Sequence, residues 1–326
     1  MKNALDEKKI YIKDPIDQLY LYGYNKYFEE FKKLFSLKKL PNAMLLSGPK
    51  GIGKSTFIFH YINFLFSKTG NKKQSSINHQ IEDQNHHAKL LSTQTHPNIF
   101  LINNNKLDEE IKIDQIRNLN NFLNKSAFLT EIKIVIIDNA EYLNKSSGNA
   151  LLKSLEEKKD NTFFFIIHNN QRKILDTIKS RCLEFKIFFN KKEKEDIFRK
   201  LIDQYNLNFD SSEILNSFYF ETPGNLIRYI SILSKYEIMI NEDILKNIFI
   251  LIDKYNIDKN DDIIPLIKVF IEKFYCELLF SKKDNSNSSF LNYSLIVNHI
   301  NNMKIFNLSK KNTFLVIKNI LKNEKR

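Results

Sequence analysis

The chain of 326 residues is long enough for two or three domains with cores of their own. Its 42% hydrophobic and 27% charged residues are the shares of a water-soluble globular protein. The excess of 50 basic over 38 acidic side chains gives +12, which suits a polyanionic partner such as nucleic acid and equally suits an AT-rich genome that favours Lys, Asn and Ile. Cys182 and Cys276 are too few for a disulfide framework or a four-cysteine zinc site. The opening MKNALDEKKIYIKDP lacks the apolar core of a secretion signal, and no apolar run approaches the roughly 18 residues that cross a bilayer. A soluble, reducing, cytoplasmic setting is the expectation.

In chain order, the apolar run Asn42–Gly48 predicts a buried strand, and a helix follows from Gly53 to about Phe66. Residues 67–94, rich in Asn, Gln, Ser, Lys and His, predict a flexible loop. Asn98–Ile102 is a second strand, and Ile113, Ile116, Leu119 and Leu123 mark one face of a helix over Ile113–Leu123. Strands over Lys133–Asp138, Thr162–His168 and Leu183–Phe188, with a helix over Asn149–Glu157, complete the alternation. Continuous apolar strands alternating with helices indicate an α/β domain whose parallel sheet is covered on both faces. Strand signals then fade. Ile197, Phe198, Leu201 and Tyr205 share one side of a helix over 190–205, and another helix starts after Thr222–Gly224. Asn241 reads as an N-cap with Glu242 and Asp243 in the first turn. Pro265 begins a helix to about Phe280, Ser281–Ser289 reads as a polar connector, and a final helix carries Phe314, Ile317 and Leu321. The expected domains are 1–189, 190–240 and 241–326.

Gly48, Pro49, Lys50, Gly51, Ile52, Gly53, Lys54, Ser55 and Thr56 form G-x-x-x-x-G-K-[ST] between a predicted strand and a predicted helix, the context a P-loop requires. Backbone N–H groups of such a loop wrap phosphate at the positive helix end. Lys54 would neutralise the β- and γ-phosphates of ATP, and the Ser55 hydroxyl would ligate Mg²⁺. Asp138, ending an apolar strand, is the second expected Mg²⁺ ligand. A base for the attacking water belongs immediately after it, and the chain has Asn139, whose amide cannot serve as a carboxylate base. Glu141 is not expected to substitute. His168 and Asn169 end a strand where a γ-phosphate sensor could sit, and Asn169 is the better candidate. Nucleotide binding with weak or absent hydrolysis is the expectation.

SRC (Ser180–Cys182), NALLKSLEE (Asn149–Glu157), IDQIR (Ile113–Arg117), THPN (Thr95–Asn98) and the block Tyr22–Thr56 together resemble the clamp-loader branch of the AAA+ ATPases, and within it the delta-prime subunit family of bacterial DNA polymerase III. The resemblance runs from about Leu21 to Phe185. It implies a P-loop AAA+ domain followed by a small helical lid and an all-α collar. It implies a subunit of a hetero-pentamer, with gamma/tau-type and delta-type subunits, a sliding clamp and primer-template DNA as partners and no membrane. It also implies that Arg181 acts in trans as an arginine finger at a neighbour's ATP. DNA contact would be sequence-independent; the lysines of 191–194 read as a solvated face. Tyr22, Gly23 and Tyr24 match the block near adenine, although aromatic core packing explains the tyrosines equally.

Two departures from the family accompany the resemblance. Active motor subunits begin the lid helix with an arginine, and here that position falls at Gly224 or Asn225, with Arg228 one turn too far along. Many relatives carry a four-cysteine zinc module where this chain has residues 67–94 without cysteine; His79, His86 and His87 there read as solvated, so no zinc is expected. The alternatives are an active gamma/tau-like motor, against which Asn139 speaks, and an unrelated P-loop enzyme, which leaves the SRC motif and the helical C-terminal part unexplained.

Overall fold

The structure, a computed structural model, describes residues 11–69, 80–81, 85–103, 109–127, 132–157, 161–170, 172–207, 211–240, 243–281, 286–306 and 308–324. The chain divides into two compact units, one over Tyr11–Arg228 and one from Tyr229 onward.

The first unit opens with α1 (Asn25–Ser36), β1 (Ala43–Gly48), α2 (Lys54–Thr69), α3 (His86–Ser92) and β2 (Ile99–Ile102). It continues with α4 (Ile113–Asn124), β3 (Lys133–Ile137), α5 (Lys145–Glu156), β4 (Thr162–Asn169), α6 (Asp176–Lys179) and β5 (Leu183–Lys186). α7 (Lys191–Tyr205), α8 (Ser211–Ser217) and the start of α9 (Pro223–Lys235) follow. Among the described residues the five strands form one sheet in the order β2-β3-β4-β1-β5, each pair parallel. Alternate side chains explain why the strands read as unbroken apolar runs. Met44, Leu46, Ile134, Ile136, Phe163 and Phe165 join one buried cluster with α1 and α2, and their neighbours Leu45, Val135, Ile137, Phe164 and Ile166 join another with α4, α5 and α6. At roughly 1.5–3 kcal/mol per fully buried large apolar side chain, both faces must be covered for the sheet to be stable.

Polar caps set several helix starts that apolar spacing does not. α5 begins at Lys145, four residues before the expected Asn149, because the Asn144 side chain accepts from Ser147 N. Within 67–94 the structure corrects the loop expectation at its two ends. α2 runs on to Thr69 and α3 forms over His86–Ser92, its first turn held by Asn85 Oδ1 accepting from His87 N and Ala88 N; residues 70–79 and 82–84 lie outside the described residues. At the C-terminal end of α4, the buried Lys133 ammonium donates to the carbonyls of Phe122, Leu123 and Lys125, adding a charged donor where the helix ends. α7 starts with the reciprocal Asn190/Glu193 capping box.

The second unit contains α10 (Ile244–Asp258), α11 (Ile263–Ser281), α12 (Ser286–Ile305) and α13 (Lys310–Glu324). α10 packs on α11 and α13, and α12 on α11 and α13. The core includes Ile248, Ile252, Leu266, Phe270, Ile300 and Phe314, with the Tyr255 and Phe314 rings 5.0 Å apart. The expected cap Asn241 and the first-turn Glu242 lie outside the described residues. Asp243, expected inside the first turn, is itself the cap, accepting from Leu245 N at 2.9 Å. The expected connector Ser281–Ser289 is corrected as well: residues 286–289 are the first turn of α12, while 282–285 lie outside the described residues. Among the described residues no helix is long and apolar enough to cross a membrane.

Candidate functional site

The C-terminal ends of β1, β3 and β4 converge in the first unit, and the residues that follow them carry the site. β1 ends at Gly48, and the loop 49–53 delivers Lys54 as the first residue of α2. Lys54 is only 3% exposed, and its ammonium donates to Gly48 O, Pro49 O and Asn169 Oδ1, each at 2.8 Å. All three of its protons are thereby used. Burial lowers its pKa to about 8, against the opposing pull of Asp138 and Glu141. Ser55 Oγ donates to Asp138 Oδ2 at 2.9 Å, and Asn139 N to Asp138 Oδ1 at 2.8 Å. Burial raises the Asp138 carboxyl above its usual range, while the hydrogen bonds from Ser55 and Asn139 and the Lys54 charge pull it back. Lys54, Ser55, Asp138 and Asn169 are thus brought together; Thr56, half-buried, is the third residue of α2.

Asn139 takes left-handed backbone angles, φ 55 and ψ 50, which an Asn tolerates better than most residues. That turn leads into a short 3₁₀ segment, Ala140–Tyr142, and swings Glu141 inward. Glu141 is 7% exposed, and its carboxylate accepts Asn169 N at 3.0 Å and Asn169 Nδ2 at 2.9 Å. Asn169 Nδ2 also donates to Asn139 Oδ1 at 2.8 Å. Glu141, not expected to stand in for the base, is part of the cluster. The only signal for it was an acidic residue within one turn of Asp138. Of the two strand-end candidates, Asn169 meets Lys54, whereas His168 Nε2 is bonded to Arg172 O in the following turn.

Neighbouring segments hold the P-loop backbone. Tyr24 OH donates to Ile52 O, and its buried ring stacks on Phe57 at 4.9 Å, so Tyr24 packs as core against the loop. Tyr22 is half-buried beneath the Lys200 ammonium. From the other side, Thr222 Oγ1 donates to Lys50 O at 2.8 Å and Gly224 N to Gly51 O at 2.9 Å. Gly51 has φ +78, and a Cβ on Gly224 would lie 2.5 Å from Gly51 O. The start of α9 therefore meets the loop backbone to backbone, with no room for a side chain at Gly224. Asn225 Nδ2 donates to Glu221, and Arg228 is exposed.

Arg181 lies in the turn between α6 and β5, its side chain 34% exposed. Nε donates to Glu156 Oε1 at 2.7 Å, Nη2 to the same oxygen, and Nη1 to Thr177 O at 3.1 Å. Leu183, two residues on, pairs with Met44 at the beginning of β1, while the P-loop follows Gly48 at its end. Four residue steps at about 3.3 Å each separate those levels by roughly 13 Å of sheet. Arg181 thus stands at the edge of the sheet opposite its own P-loop.

Among the histidines expected to be solvated, His86 is exposed and His79 lies outside the described residues. His87 departs from that expectation: half-buried, it stacks on Phe66 at 5.4 Å and bonds His96 through Nδ1 and Nε2 at 3.2 Å. His96, buried, accepts Asn98 N through Nδ1, and burial lowers its pKa to about 4. Among the described residues no group of three or more His, Cys, Asp or Glu could hold a metal ion.

Comparison with known proteins adds independent findings. The family model described as DNA polymerase III, delta subunit, matches residues 23–191, just over half of the chain. DNA polymerase III subunit delta' of Pseudomonas aeruginosa is 34% identical over 143 residues, 44% of this chain and 42% of that protein. DNA polymerase III subunit delta' of Buchnera aphidicola subsp. Schizaphis graminum is 32% identical over 160 residues, 49% of this chain and 47% of that protein. The chain spans about half the length of these curated relatives. A solved DNA polymerase III gamma subunit-related protein of Thermotoga maritima aligns with TM-score 0.50 at 18% identity, over 92% of this chain and 99% of its own, a likeness of fold.

Proposed function

The chain belongs to the DNA polymerase III delta subunit family, and from that premise we propose that it is a delta-prime-type clamp-loader subunit that holds ATP without turning it over efficiently. The observation that carries this reading is the division of labour at the site. Lys54, Ser55 and Asp138 supply a phosphate cation and two oxygen donors, but Asn139 stands where the base belongs and both oxygens of Glu141 are engaged by Asn169. Mg²⁺ takes hard oxygen ligands, and the Ser55 hydroxyl and Asp138 carboxylate, already 2.9 Å apart, fit it. Bound there, it would neutralise phosphate charge. The backbone of 48–56 would wrap the phosphates, with Lys54 exchanging one of its present acceptors for them.

The second part of the proposal is that Arg181 serves the P-loop of a neighbouring subunit. Its distance from its own loop along the sheet and its partly exposed fork support action in trans. In this reading α7, α8 and α9 form the lid, and α10–α13 form the collar of a hetero-pentamer with gamma/tau-type and delta-type subunits. The assembly would act on a sliding clamp and on primer-template DNA, contacted through phosphates without regard to sequence. Purified chain with Mg²⁺ and primed DNA is expected to bind labelled ATP and to hydrolyse it at a rate close to background. Robust turnover by the isolated chain would overturn the stationary reading in favour of the motor.

A further inference from the structure

Asn169 ends β4 beside the Lys54 ammonium, and its hydrogen bonds fix which end of its amide faces that cation. Lys54 Nζ carries only donors, so the atom 2.8 Å away must be the amide oxygen. The Glu141 carboxylate carries only acceptors, so the atom 2.9 Å away on that side must be the amide nitrogen. The two requirements agree, and they set the orientation by chemistry. The nitrogen has two hydrogens: one goes to Glu141 Oε1 and the other to Asn139 Oδ1 at 2.8 Å. Glu141 Oε2 takes the Asn169 backbone N–H at 3.0 Å, so a single buried carboxylate grips this residue at two points. No amide hydrogen of Asn169 is left to donate to a phosphate.

We propose that Glu141 is a positioning residue that, with Asn139, holds Asn169 turned away from the γ-phosphate, so that the site accepts nucleoside diphosphates and triphosphates nearly alike. The proposal rests on the reading of the P-loop as a nucleotide site. It joins two sequence features that look unrelated, the amide at Asn139 and the acid at Glu141: together they consume the donors with which Asn169 would sense a third phosphate. The site then responds to the presence of nucleotide and is blind to its hydrolysis.

The test measures affinities of the full chain, with Mg²⁺, for labelled ADP and for a non-hydrolysable ATP analogue. Wild type is expected to bind both within about threefold of each other. Glu141→Ala frees one amide hydrogen, and a hydrogen bond to a charged phosphate oxygen should raise the preference for the triphosphate by roughly tenfold or more. Asn169→Ala added to Glu141→Ala should return the ratio to near one, a reversal that a purely structural role of Glu141 does not produce. Asn139→Gly keeps the left-handed turn and removes the other acceptor. It should move the ratio in the same direction, and it provides the readout if Glu141→Ala does not fold. Strong triphosphate preference in wild type, or an unchanged ratio in the folded variants, overturns the proposal while the nucleotide site stands. Failure of wild type to bind either nucleotide overturns the site reading, and the proposal with it.

Discussion

Replacing Gly224 by alanine tests how α9 closes on the P-loop. The new Cβ would lie 2.5 Å from Gly51 O, 3.2 Å from Gly51 C and 3.3 Å from Gly51 Cα, all backbone atoms with no rotamer to yield. Relief requires the first turn of α9 to retreat, which breaks the 2.9 Å bond from Gly224 N to Gly51 O and loosens the 2.8 Å bond from Thr222 Oγ1 to Lys50 O. Overpacking costs roughly 1–3 kcal/mol and the two hydrogen bonds about 1 kcal/mol each. The better helix propensity of alanine returns about 0.5–1 kcal/mol. The net is a loss of about 3 kcal/mol, or roughly 6–12 °C in Tm for a unit of this size. Thermal unfolding of the full chain by circular dichroism measures it, with exposed Arg228→Ala as a control expected to stay within about 0.5 kcal/mol. A Gly224→Ala chain as stable as wild type would refute the closed contact.

Two further outcomes follow from buried polar groups. His96 is held neutral, so the unfolded chain binds its proton more readily than the folded one between pH 6.5 and about 4, and stability falls as pH drops through that window. The difference is about 3 kcal/mol; denaturant midpoints across pH should show His96→Phe losing that much less stability than wild type, and parallel curves would contradict the assignment. Lys133→Met removes the ammonium shared by the carbonyls of Phe122, Leu123 and Lys125 and should cost about 2–3 kcal/mol in denaturant unfolding, whereas a neutral result would mean that water caps α4 equally well.

The sheet was legible because each of its strands except the edge pair is buried on both faces, and an unbroken run such as Phe163–Ile167 has no other plausible use. The loop 49–53 was legible as a tight passage from strand to helix because Gly51 and Gly53 take the positive φ it requires. What escaped was set by caps and turns. α3 has seven residues, one of them a buried leucine, and depends on Asn85, so its polar composition reads as loop. Lys145–Gly148 carry no apolar period, and only the Asn144 cap starts α5 there. Glu141, three residues past Asp138, was not expected to replace the missing base; the left-handed turn at Asn139 and the 3₁₀ segment that follows place it against Asn169. His87 reads as solvated because it lies in a polar tract without regular ligand spacing; its contacts with Phe66 and His96 leave no such pattern in the sequence.

The role of Arg181 is measured most directly by the steady-state ATPase of an assembly of this chain with gamma-type and delta-type subunits on primed DNA, comparing wild type with Arg181→Ala. Loss of the partly exposed Glu156 pair should cost less than about 1 kcal/mol, so the assembly should remain intact. The account predicts that turnover at the neighbouring site falls by roughly 10³-fold, the low end of what an arginine finger supplies. An intact assembly whose turnover is unchanged would contradict it.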